Sequence, residues 1–321
     1  MDTKSVAGKG GSLLRVVEER IQRELEHERK KQQKNSLSCL IFQKTASLKF
    51  LFNFRLNLYR SRGLFAKSEQ LANGLIVLEN RMRKEGLIVM NPVTWELLTI
   101  PLGTRSSPHH ESYGLVFCHR SSNYKVVHLF QDESQYIGCE IYIKIRSGSW
   151  RVMDGPSFGL FGWLGFEPVF AMGALHWLPL INHNEYVVSL LVDDEKFVKI
   201  SLPKIGEIHD RIIAMSGFLG FVTHHEDMNR IDVWILRGLG CEVWEKQYTI
   251  RMDCTKNMVP LYCSRIDGEI IFKKEDYDLY AYDCSLQIMS KVEVKKGCFP
   301  FNGCYLPHVN SLISWTIPVK R

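Results

Sequence analysis

From residue 38 onward the apolar positions of this 321-residue chain fall into short runs with a two-residue period. In "EIYIKIRSGSW" Ile141, Ile143 and Ile145 share one face, and Tyr142, Lys144 and Arg146 share the other. "RIDVWIL" repeats the pattern with Ile231, Val233 and Ile235. Alternation of this kind, broken by Ser/Gly turns, predicts β-strands. Residues 12–34 follow a different rule. Leu14, Val17, Ile21 and Leu25 recur at three- and four-residue spacing behind Ser12, a capping residue. Pairs Glu19/Arg23 and Glu26/Lys30 add i,i+4 support. The spacing predicts one charged helix, within an N-terminal extension of residues 1–37.

The strands recur as a unit. A small residue stands ahead of an apolar run at Gly74, Gly114, Gly173, Gly217, Gly268 and Ser311, at intervals of 40 to 59 residues. Most runs are followed by strand, tight polar turn and strand, as in "LIVMNPVTWELLTIP", "YIKIRSGSWRVMD", "VVSLLVDDEKFVKISLP" and "LYAYDCSLQIMSKVEV". In the first, Asn91-Pro92-Val93-Thr94 forms the turn, and Pro101, with no N–H to donate, ends the pairing. Several strands per unit of this length predict an all-β fold, a kelch-like β-propeller of about six blades over residues 38–321. The sixth blade is expected to join "NSLISW" near the C-terminus to "LSCLIFQKT" and "LKFLFNFRLNLYR" near the N-terminus. That closure would leave no open sheet edge.

Bulk composition narrows the function. The chain is 45% hydrophobic with a net charge of +6, half of it within residues 1–34. A near-neutral body argues against a nucleic-acid groove. No apolar run is long enough for a membrane span, and the N-terminus lacks the apolar centre of a secretory signal. Nine cysteines occur without a C-x-x-C. They read as reduced core residues of an intracellular protein, cytoplasmic or nuclear.

Candidate chemistry is sparse. "GPSFG" places Ser157 where a G-x-S-x-G nucleophile would stand, but "LFGWLGFEP" after it has no helical spacing, so a loop turn is expected. Adjacent histidines in "SPHHES" (107–112) and "THHEDMN" (223–229) would point to opposite faces of a strand, one ligand per site. They are expected as loop histidines beside strands. Asp193, Asp194 and Glu195 form a turn between strands. "GKGGS" lacks phosphate-loop spacing. No catalytic residue, metal ligand or cofactor site is assigned. The candidate partner-binding residues are Phe158, Phe161, Trp163 and Phe166, aromatic side chains in a Gly-rich loop. They would serve either as interface anchors or as fillers between blades. A propeller hydrolase or oxidase acting on carbohydrate is the alternative; it needs acids or a metal cluster along a channel.

Read in order, "NGLIVLEN…LIVMNPVTWELLTIP", "YGLVFCHRSSNYKVVHLF", "EIYIKIRSGSWRVMD", "AMGALHWLP", "VVSLLVDDEKFVKISLP" and "IDVWILRGLGCEVWEKQYTI" resemble the F-box-associated domain of plant F-box proteins. The resemblance covers about residues 38–321; Met172 precedes Gly173 where that family usually has Asn. It implies a non-catalytic module that captures a target protein for a Skp–cullin–F-box ubiquitin ligase. In that family an N-terminal F-box holds the Skp adaptor. Residues 1–37 carry no "LPxDLLxxIL"-like pattern, so the F-box is expected to be missing. Skp docking and a ligase-independent binder or competitor both stay open.

Overall fold

The structure is a computed structural model that describes residues 66–67, 71–72, 75–80, 86–91, 94, 96–105, 111–134, 136–143, 148–157, 168–179, 185–203, 210–225, 228–240, 242–251, 258–263, 268–274 and 278–292. Among them the regular elements are 21 β-strands and no α-helix. Nor is any helix among them long and apolar enough to cross a membrane. The expected helix 12–34 lies outside the described residues.

The strands form five antiparallel sheets in chain order. Blade 1 holds β1 (Ala66–Lys67), β2 (Leu71–Ala72), β3 (Leu75–Asn80), β4 (Leu87–Asn91) and β5 (Glu96–Ile100), with β1 and β2 both pairing β3. Blade 2 is the meander β6 (Glu111–Cys118), β7 (Asn123–Gln131), β8 (Ile137–Ile143) and β9 (Trp150–Met153). Blade 3 is β10 (Val169–Ala171), β11 (Ala174–Trp177), β12 (Tyr186–Leu191) and β13 (Lys196–Ser201). Blade 4 is β14 (Arg211–Met215), β15 (Phe218–His225), β16 (Arg230–Leu236) and β17 (Trp244–Arg251). Blade 5 is β18 (Val259–Cys263), β19 (Glu269–Lys273), β20 (Leu279–Asp283) and β21 (Ile288–Val292). The fold is an all-β propeller. Six blades were expected; the described residues carry these five, four of them four-stranded, and the segments assigned to the sixth lie outside.

Among the described residues the middle sheets, blades 2, 3 and 4, are apolar on both faces because each has a neighbour on both. Leu115 and Val126 of blade 2 pack with Leu75, Val77 and Val89 of blade 1. The next residues along the same strands, Val116 and Val127, pack with Leu175, Trp177 and Val188 of blade 3. Blades 3 and 4 share Val187, Ile200, Leu219 and Phe221. Blades 4 and 5 share Ile231, Val233, Ile270 and Phe272. Burying one such side chain is worth about 1.5–3 kcal/mol, so sheets too small to be stable alone hold as a stack. Two-sided burial also corrects the reading of "EIYIKI". Tyr142, expected on a polar face, is 5% exposed in the core between blades 1 and 2. Residues 144–147 lie outside the described set.

The expected outer hairpins are the third and fourth strands: β4–β5, β8–β9, β12–β13 and β20–β21 pair in register. At the first of these turns the Asn91 side chain accepts from the Thr94 N–H at 3.4 Å. The recurrent glycines divide into two kinds. Met172-Gly173 and Ser216-Gly217 are two-residue turns from first to second strand, with φ of 52° and 76°, then 49° and 90°. Two successive positive φ values make the primed turn that suits strand twist, and glycine adopts them freely. Gly114 has another position. It lies inside β6, the first strand of its blade, opposite Val127. The repeat in blade 2 is therefore out of phase with the spacing that revealed it.

Candidate partner-binding surface

In an antiparallel meander the turn from first to second strand and that from third to fourth leave the same end of the sheet. The 119–122, 192–195, 216–217, 237–243 and 284–287 connections therefore share one rim. Phe218, Val243, Leu286 and Ile288 are large apolar residues exposed on or beside these turns. On blade 4 the Arg237 guanidinium sits 6.0 Å from the Phe218 ring centroid. Arg237 is itself held by Glu245 at 2.7 Å and Gln247 at 3.3 Å. The inner turns of blades 3 and 4 are tied by Met172 N–H donating to Gly217 O at 3.1 Å. Exposed apolar and cationic side chains on rigid turns provide what a protein contact needs.

The turn Asp193-Asp194-Glu195 lies on this rim, between β12 and β13, as expected. Its side chains do more than make a turn. Asp194 pairs with Arg120 of blade 2 at 2.9 Å, and Asp193 accepts from the Arg120 backbone N–H at 3.4 Å. Glu195 receives Lys125 at 2.8 Å and also Arg151. The acids thus clasp blade 3 to blade 2. A hydrogen bond from Cys118, with others from the His119 and Arg120 backbone, holds the Asp193 pKa below its ordinary value. For Glu195, burial pushes the pKa upward, but Lys125 and Arg151 outweigh it and the net shift is down.

Two tryptophans repeat one device at the blade periphery. Trp150, at the start of β9, donates its indole N–H to Pro101 O of blade 1 at 3.0 Å. Trp244, at the start of β17, donates to Ser201 O of blade 3 at 2.7 Å. Each latches an outer strand to the end of the outer strand before it.

The buried polar groups face one another. Tyr113, His128 and Glu140 lie directly opposite across β6, β7 and β8. The Tyr113 ring stacks on His128 at 4.3 Å. Glu140 accepts from Thr104 N–H at 2.9 Å, from the Thr104 hydroxyl and from His128 Nδ1 at 3.2 Å. Burial alone would raise its pKa; these donors and the Arg105 N–H bring it below the ordinary value. In blade 3, His176 donates from Nε2 to Ala171 O at 3.1 Å and accepts at Nδ1 from Ser189 Oγ at 2.7 Å. Burial pushes its pKa down to about 4, so it is neutral. Burial likewise lifts the Cys139 and Cys284 thiols to about 12 and Cys263 to about 11. These thiols stay protonated and make poor nucleophiles.

Ser157 is exposed beyond the end of β9, with no helix after it among the described residues. His224 and His225 sit in β15 rather than in a loop. They point to opposite faces, as expected. The buried His224 lies near Asp210, whose Oδ1 accepts the His224 backbone N–H at 2.8 Å, and His225 Nε2 reaches Asp232 Oδ2 at 3.2 Å. His109 and His110 lie outside the described residues, as do Phe158, Phe161, Trp163 and Phe166. Among the described residues no group of three His, Cys, Asp or Glu is placed to hold a metal ion. Sequence reasoning missed the clasp and the tryptophan latches, which join positions about 40 to 75 apart in the chain. The recurring Trp at the start of a fourth strand was the one available signal.

Solved structures with similar shape include an oligogalacturonate lyase in complex with manganese, at 10% identity and TM-score 0.41 over 72% of this chain and 65% of that one. Another is an oligogalacturonate lyase from Vibrio parahaemolyticus, at 11% identity and TM-score 0.44 over 68% and 62%. A third is apo AztD from Citrobacter koseri, at 10% identity and TM-score 0.38 over 72% and 60%. The chain thus spans less than two thirds of each of these proteins. No curated protein matches the chain. A family profile described as the F-box associated beta propeller domain matches residues 27–304. With most of its length inside that match, the chain belongs to the F-box associated beta propeller domain family.

Proposed function

We propose that this chain is a non-catalytic capture module that presents a target protein to a Skp–cullin–F-box ubiquitin ligase. The observation that carries this reading is the family match across residues 27–304. The rim described above supports it: Val243 and Leu286 are exposed on its turns, and Phe218 and Ile288 are exposed at the strand ends beside them. Residues 1–37 act as an extension, residues 38–321 as the kelch-like binding domain, and a sixth blade joins the two ends of that domain. The aromatic residues Phe158, Phe161, Trp163 and Phe166 serve as further anchors. The protein works in the cytoplasm or nucleus of a plant cell.

The test is affinity purification of the full chain from cells, with and without residues 1–37, followed by identification of the bound proteins. A specific partner lost on Phe218→Asp, together with the Skp adaptor, supports the reading. A partner without the adaptor points to a ligase-independent binder. Loss of every specific partner in the unsubstituted chain overturns it.

A further inference from the structure

We draw no further inference here: the strongest candidate, the side-chain cluster of Glu111, His128 and Glu140 on blade 2, is taken up by its own ion pairs and, among the described residues, forms no group of three that could hold a metal ion, so nothing in the structure shows what it would bind.

Discussion

His128 Nδ1 stands 3.2 Å from Glu140 Oε2, and both side chains are sealed from solvent. A carboxylate that accepts from Thr104 and the Arg105 backbone stays ionised, so Nδ1 carries the proton it donates. Breaking a buried pair leaves the other member stranded. Glu140→Ala leaves the buried His128 N–H without its acceptor and should cost about 1–3 kcal/mol, read as a lower urea midpoint. A loss under about 1 kcal/mol would mean that water replaces the carboxylate.

The acid side of the stability curve should be steep, and His176 is one cause. Its folded pKa is about 4 against an ordinary value of 6.5, so the unfolded chain takes up a proton first as pH falls. Stability held above pH 6.5 is lost on the way down to pH 4, by up to about 3 kcal/mol. Glu140, Glu195 and Asp232 act lower down. Their depressed values stabilise the fold above about pH 4, and that contribution disappears below it. His176→Gln, which takes up no proton, should flatten the decline between pH 6.5 and 4 and leave the lower one. Urea midpoints across this range decide it.

The blade 2–blade 3 clasp separates buried from exposed pairs. Lys125 is 7% exposed, so Glu195→Ala strands a covered ammonium and should cost about 1–3 kcal/mol. Arg120 and Asp194 are 69% and 57% exposed, and Asp194→Ala should change the melting midpoint little, by under about 1 kcal/mol. Equal effects would refute the distinction.

Trp150→Phe and Trp244→Phe each remove one latch while keeping most of the ring. Each should cost about 0.5–1.5 kcal/mol, and the double variant should show the sum, since the two lie in separate blades. Chemical denaturation of the three variants tests both statements.

Gly217 and Gly103 predict opposite kinds of damage. A Cβ at Gly217 meets nothing within 4 Å, so Gly217→Ala carries only the left-handed backbone cost of about 1–2 kcal/mol. A Cβ at Gly103 would fall 2.0 Å from His128 Nδ1. Gly103→Ala should therefore be the worse substitution in thermal melting, and should disturb the His128–Glu140 pair as well.

The fold was legible where the chain speaks locally. "LIVMNPVTWELLTIP" and "VVSLLVDDEKFVKISLP" encode hairpins whose strands adjoin in sequence, and they appear as β4–β5 and β12–β13. The first strands were harder. "VFA" at β10 and "VPLYC" at β18 are short, and neither alternates cleanly. Two-sided burial erases the polar face that alternation relies on, which is why Tyr142 was misplaced. The candidate site was legible least of all, because exposed turns carry no periodic pattern.

Two-sided packing also says where this protein is free to diverge. Val126 answers to blade 1 and its neighbour Val127 to blade 3. No sheet can be re-tuned without obliging the sheets beside it, whereas a tip such as Leu286 is bound to neither. New specificity should therefore accumulate at the turn tips, with the interleaved walls held as common property.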